Sequence, residues 1–367
     1  MKNLLYISCH NTMECNELEM LSKLDFSCVT IGNFTKGTLV SKSADQPEWS
    51  LHDWRSPIYN RNDALTNEFI SMNPNFTGMT LDKYNFTKEY LNKFDVIFVS
   101  NNWPHMKSLV KLGVPNSRQL FVWCSVGQTN KIVEQAMRQN QIDCKNKMVI
   151  VRCCPSESEV IDFCGVDYYI ISHVDHSFNV DWIGDKKQVI TVTRGIKKKS
   201  RISNYEIIQD IMSEFPHKIY GKGNEDLPVE LNGGELSFPD LIKTYQQNRV
   251  FICGGSSPAP ITYTFAEAMT VGIPVVCLGP KLVRTISGPK NLFYMDKYIQ
   301  NGVNGFVSDS VSDLKKYCRM LLEDYDMAKE ISKNASKFAR ENWSFPAAKI
   351  KWEKLFKEKL PKFIKHI

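Results

Sequence analysis

Residues 251–279 read FICGGSSPAPITYTFAEAMTVGIPVVCLG, and the succession of residue types here decides the fold. An apolar run ends at Gly254 and Gly255, a loop rich in Ser and Pro follows, then a short helical pattern. Gly272 and Pro274 then restart the chain as the apolar run PVVCL. The order strand, turn, loop, helix, turn, strand is one repeat of a parallel α/β sheet. The helix carries a single acid, Glu267, and its neighbours Ala266, Ala268 and Gly272 are small enough for close packing or close approach of a ligand. Its first turn offers backbone N–H groups and a positive dipole end to an anion, and its acid accepts hydrogen bonds from hydroxyls. A phosphate together with a sugar diol points to a nucleotide sugar.

Outward from this stretch the same alternation recurs. VITVT, HKIYG, RVFICGG, IPVVCLG and GFVSD form one series of strands, and NLLYIS, SCVTIG, DVIFVS, QLFVWCS, MVIVRC and DYYIIS form an earlier one. Helical segments such as ECNELEMLSKL separate them, which predicts two parallel sheets, each covered on both sides. A polar break near residue 183 sets the expected domains: 1–182, 183–345, and a basic amphipathic helix over 346–367. Two doubly wound halves are expected to face a cleft at the carboxyl ends of their strands. The stretch 40–80, polar and rich in Asn, Pro and Ser, reads as a long loop insertion.

The chain has 367 residues, enough for two domains of ordinary size, with 43% hydrophobic and 23% charged residues. No apolar run reaches the roughly 18 to 20 residues of a membrane span, and the N-terminus lacks a signal-peptide pattern, so a cytoplasmic location is expected. Eleven cysteines occur without a C-x-x-C pair, which fits free thiols in a reducing compartment rather than a disulfide frame or zinc site. H-E-x-x-H, P-loop and G-x-S-x-G motifs are absent, and the acids Asp324 and Asp326 sit in a helical pattern, as a solvated face rather than a metal motif.

Three segments together resemble the C-terminal half of GT-B glycosyltransferases of the retaining family 4 group. That family's fingerprint is an acid, seven residues, a second acid, then an alanine-rich G-x-P-V-V segment; the second acid matches Glu267, whereas the first position is held by Ala259. ITVTRGIKKKS over 190–200 is similar to the family's strand followed by Arg and, five residues on, Lys, which are Arg194 and Lys199 here. NGVNGFVSD over 301–309 is similar to its N-G-x-x-G turn. The resemblance implies an α/β GT-B fold of two Rossmann-like domains with a C-terminal helix packing back on the body. It implies a hexosyltransferase that takes a nucleoside diphosphate sugar, such as a UDP-sugar, and retains configuration without a metal or other cofactor.

In that reading Glu267 receives the ribose hydroxyls, an acceptor-only carboxylate suiting a diol. Thr262, Tyr263, Thr264, Gly255 and Ala259 complete the donor site, and Arg194 and Lys199 neutralise the departing diphosphate. His10 and His105, each following a strand, are the candidate histidines to face the donor sugar. CSVGQT over 124–129 has a glycine turn after a strand and is a candidate lining of the acceptor side.

The acceptor is the open part. A glycan, a lipid-linked or a small-molecule hydroxyl ranks ahead of DNA, because Arg55, Arg61, Lys83, Lys88, Lys93, Lys107 and Lys111 are dispersed among acids rather than gathered in a stripe. A viral-type transferase acting on hydroxymethylated DNA bases is the alternative within the enzyme class. Ala259 motivates another, a catalytically silent nucleotide-sugar-binding protein. Seven lysines over 349–365, interleaved with apolar residues three and four apart, read first as a helix packed on the body, with peripheral membrane contact as the alternative.

Overall fold

In the computed structural model the described residues are 1–7, 11–32, 34–35, 57–76, 84–112, 119–125, 127, 129–144, 147–171, 173–174, 180–255, 259–283 and 292–360. They form two compact units, one of residues 1–173 with 348–367, the other of residues 174–347. Residues 174–182 thus lie with the second unit, and the C-terminal segment lies with the first.

The first unit has six strands: β1 (Lys2–Ile7), β2 (Phe26–Ile31), β3 (Val96–Ser100), β4 (Leu120–Cys124), β5 (Met148–Arg152) and β6 (Tyr168–Tyr169). They form one parallel sheet in the order β2-β1-β3-β4-β5-β6. β3, β4 and β5 are buried along their whole length, as expected of strands covered on both faces. Helices α1 (Asn11–Ser22), α2 (Asp63–Met72), α3 (Lys88–Leu91), α4 (Trp103–Lys111) and α5 (Lys131–Asp143) connect them.

Part of the stretch read as a loop over 40–80 is helical. Asn62 accepts a hydrogen bond from the Leu65 N–H and caps α2, and Leu65, Thr66 and Phe69 recur at helical spacing to bury one face. Residues 40–56 and 77–80 of that stretch lie outside the described residues.

The second unit has β7 (Lys186–Val192), β8 (His217–Tyr220), β9 (Asn232–Gly234), β10 (Asn248–Cys253), β11 (Val275–Leu278) and β12 (Phe306–Ser308). Between these strands run α6 (Ser200–Ser203), α7 (Tyr205–Met212), α8 (Phe238–Gln247) and α9 (Tyr263–Val271), and after them α10 (Val311–Glu323) and α11 (Tyr325–Trp343). The sheet is parallel in the order β12-β11-β10-β7-β8-β9. Counted from its own first strand and read from the β9 edge, this is the order 3-2-1-4-5-6 of dinucleotide-binding folds. Its winding reverses between β7 and β10. Asp324 caps α11 by accepting from the Met327 N–H at 2.9 Å.

The last helix, α12 (Phe345–Lys359), packs on the first unit as expected from its period. Ala348, Trp352, Leu355 and Phe356 are buried, with Phe356 edge-on to Phe26 at 4.8 Å and Trp352 against Phe98 at 5.3 Å. Among the described residues no helix is long and apolar enough to cross a membrane.

Candidate functional site

In an open parallel sheet the loops leaving the strands diverge where the winding reverses, which opens a crevice at the strands' carboxyl ends. In the second unit that point lies between β7 and β10, so the turns after these strands are its walls. The turn after β7 carries Arg194, half-buried, and Lys199, exposed. Lys198, beside them, pairs with Glu225 at 3.5 Å. The turn after β10 is Gly254 and Gly255. Gly255 adopts φ +71°, and a Cβ there would lie 3.0 Å from the Phe293 ring, so only glycine fits without moving that ring.

Residues 256–258 lie outside the described residues. The chain resumes at Ala259, which is half-buried and places a methyl where the family pattern has a carboxylate. Thr262 then caps α9: its Oγ1 accepts from the Phe265 N–H at 3.3 Å and lies 3.2 Å from the Thr264 Oγ1. Thr262, Tyr263 and Thr264 are all half-buried, whereas Phe265 to Val271 are buried. The Thr264 carbonyl accepts from the Tyr245 hydroxyl at 3.4 Å, and the Thr270 carbonyl accepts from the Ser336 hydroxyl at 2.9 Å. These bonds, with buried Phe265, Ala266, Ala268 and Met269, fix α9 in the body of the unit.

Glu267 lies on α9 one turn from its start and is 2% exposed. Burial pushes its carboxyl up to about 8, since the charged form loses its hydration. In the ligand-free unit this favours the neutral form, which donates one hydrogen bond as well as accepting, whereas the sequence reading takes the group as an ionised acceptor.

The first unit treats its sequence candidates differently. His10 lies outside the described residues. His105 sits in the first turn of α4 and is 7% exposed. Its Nδ1 is 2.6 Å from the Asn102 Oδ1 and its ring lies against Tyr84 at 4.9 Å, and Tyr84 in turn packs on Phe69 and Phe86. Of the CSVGQT segment, Ser125 and Thr129 are locked inward rather than presented. Ser125 donates to Glu157 and Thr129 donates to Glu134.

Both acids converge on Arg152, a fully buried guanidinium at the end of β5. Glu134 grips it bidentately at 2.7 Å on each arm, and Glu157 lies 3.5 Å away. Burial alone would push the Glu134 carboxyl up, but hydrogen bonds and charge from Arg152 overcome it and hold the group below its usual range. No short motif signals this network; only the tertiary fold brings its members together.

Among the described residues one group, Cys153, Cys154 and Glu157, has ligand atoms within 4.8 Å of one another. Its carboxylate is already engaged. Glu157 Oε1 accepts from the Cys153 and Cys154 N–H groups at 2.8 and 3.2 Å, and Oε2 accepts from Ser125. The Cys153 thiol is raised well above its ordinary value, first by a hydrogen bond with Cys154 and then by burial. Among the described residues no disulfide joins two cysteines.

No protein-family model and no curated protein matches the chain in sequence. Among solved structures it is similar to a sucrose-phosphate synthase from Thermosynechococcus elongatus, with TM-score 0.65, 11% identity, and 99% of this chain and 100% of that one covered. It is similar to Alr3699/HepE of Anabaena in complex with UDP, with TM-score 0.65, 13% identity and coverage of 98% and 100%. It is also similar to the DNA-modifying enzyme β-glucosyltransferase, with TM-score 0.52, 10% identity and coverage of 98% and 99%. At such identities the likeness speaks for the fold, which is that of the GT-B glycosyltransferases.

Proposed function

We propose that the chain is a glycosyltransferase that moves a hexose from a nucleoside diphosphate sugar to a hydroxyl acceptor, with retention of configuration and without a metal. The observation that carries this reading is the reversal between β7 and β10 in the second unit. The turn with Arg194 and Lys199 and the half-buried first turn of α9 with Glu267 behind it both stand at the ends of those two adjacent strands. The fold that holds them is one shared by a structure solved with UDP.

In this reading Glu267 binds the ribose diol and the first turn of α9 takes a phosphate through its N–H groups. The acceptor oxygen bonds to the anomeric carbon on the face from which the diphosphate leaves, as the glycosidic C–O bond to the diphosphate breaks, and the acceptor hydroxyl's proton passes to the departing phosphate oxygen. Negative charge then grows on the departing phosphate oxygen, where Arg194 and Lys199 lower the barrier as fixed cations. Ala259 supplies no carboxylate to the donor sugar, so hydroxyl recognition there falls to Thr262, Thr264 and backbone amides.

A panel of nucleoside diphosphate sugars, followed for release of the nucleoside diphosphate with and without acceptor alcohols, tests the reading. Release from one donor, accelerated by an acceptor, is expected. Binding of a donor without any release would favour the silent sugar-nucleotide binder that Ala259 motivates, and binding of none would reject both. The likeness to a DNA-modifying β-glucosyltransferase gives hydroxymethylated DNA a place in the acceptor panel. Transfer to it, with affinity falling steeply as salt rises, would move DNA ahead of small hydroxyl acceptors.

A further inference from the structure

The turn over 194–199, which carries both cations, leaves β7 facing the turn over 221–224 rather than a neighbouring strand. The two are pressed backbone to backbone. Gly221 adopts φ +129°, and a Cβ there would stand 2.5 Å from the Thr193 carbonyl oxygen. Asn224, 1% exposed, fills the join. Its Oδ1 accepts from the Ile196 N–H at 2.8 Å, and its Nδ2 donates to the carbonyls of Thr193 and Gly221, each at 2.9 Å. Both amide protons are used, and only this orientation of the amide satisfies all three backbone groups. Ser203 Oγ, with one proton to share, lies 2.6 and 3.0 Å from the carbonyls of Ile196 and Lys199, and the Gly195 N–H reaches the Lys222 carbonyl at 2.9 Å.

We infer that Asn224 is a positioning residue for this turn, fixing where Arg194 and Lys199 stand. The inference rests on the nucleotide-sugar reading for its consequence, though not for its geometry. Fixed donors stabilise developing charge better than mobile ones because they need no reorganisation as the reaction proceeds. An amide suits the place for a second reason. A carboxylate of the same shape would set an anion against the Thr193 and Gly221 carbonyls and beside cations whose charge is needed for phosphate, whereas the amide is neutral and donates.

The test takes the nucleoside diphosphate that binds best among UDP, ADP and GDP, its nucleoside, and amide hydrogen exchange on the full chain. Asn224→Ala is expected to raise exchange at the Ile196 amide about tenfold or more. Affinity for the diphosphate should fall about tenfold while affinity for the nucleoside holds. Added to Arg194→Ala with Lys199→Ala, it should cost the diphosphate nothing further, because the cations through which it acts are gone. Equal losses for diphosphate and nucleoside, a full additional loss in the triple variant, or unchanged exchange at Ile196 would overturn the inference. Should the alanine variant not fold, Asn224→Asp keeps the bond to Ile196 and is expected to weaken the diphosphate more than the nucleoside; equal weakening overturns it. A wild-type chain that binds none of the nucleotides sinks the reading of function, and exchange at Ile196 then decides the clamp alone, faster in the variant if it is right and unchanged if it is wrong.

Discussion

At the carboxyl ends of β4 and β5 in the first unit, charged groups turn inward: Arg152, Glu134 and Glu157 are fully buried and satisfy one another. At the carboxyl ends of β7 and β10 in the second unit, the same kind of position holds a half-buried arginine, an exposed lysine and a half-buried helix start. Both units are parallel sheets, yet β7 and β10 flank the reversal of theirs, whereas the first sheet reverses between β1 and β3. The turns differ as well. Ser125 and Thr129 donate to the first unit's buried acids, whereas in the second unit the half-buried Thr262 caps α9.

The largest way to break the comparison is Arg152→Met. Removing one partner leaves Glu134 and Glu157 buried without their cation, at a cost of about 3 to 5 kcal/mol. Urea denaturation should show the loss, while thermal shift by a bound nucleoside diphosphate, measured where the variant remains folded, should persist because that site lies in the other unit. Loss of nucleotide binding with intact folding would put the first unit's network in the site and erase the contrast.

Next come the two cations. Arg194→Ala and Lys199→Ala should each lower turnover by roughly 100-fold with little effect on binding of the bare nucleoside, since their interaction is with phosphate charge in the transition state. Unchanged turnover in either variant would remove that residue from the site.

Glu267→Gln, which exchanges one neutral group for another of the same shape, should weaken nucleotide binding by about 0.5 to 1.5 kcal/mol and also change the pH profile of stability. The unfolded carboxyl releases its proton near 4.5, the folded one near 8. Between those values the folded state holds more protons, so the stability present below 4.5 is lost as pH rises towards 8, by at most about 1.4 kcal/mol per unit. The glutamine variant should lack that slope. A wild-type slope retained in the variant would assign it to other groups. At the small end, a chelator is expected to leave turnover unchanged; loss restored by Mg²⁺ or Mn²⁺ would contradict the metal-free mechanism.

Much of the second unit was legible in the sequence because its signals are local. β10, α9 and β11 are an apolar run, a capped helix and a second apolar run punctuated by glycines, and Glu267 is the one acid among them. β9, an Asn-Gly-Gly strand, was not legible, because it owes its pairing to the sheet edge rather than to any apolar pattern. The Asn224 clamp and the Arg152 network were hidden for another reason: their partners lie 28 residues apart for Asn224 and Ile196, and 18 apart for Arg152 and Glu134. His105, a candidate from its place after a strand, stands in the structure beside Asn102 and the Tyr84 ring, neighbours that no spacing announces.

The central claim is that the second unit, at the ends of β7 and β10, holds a nucleoside diphosphate. Calorimetric titration of UDP, ADP and GDP into the wild-type chain and into Arg194→Ala, Lys199→Ala and Glu267→Gln tests it most directly. One saturable site for one of the three nucleotides, weakened in every variant, is the predicted result. No saturable binding, or an affinity that all three substitutions leave untouched, would contradict it.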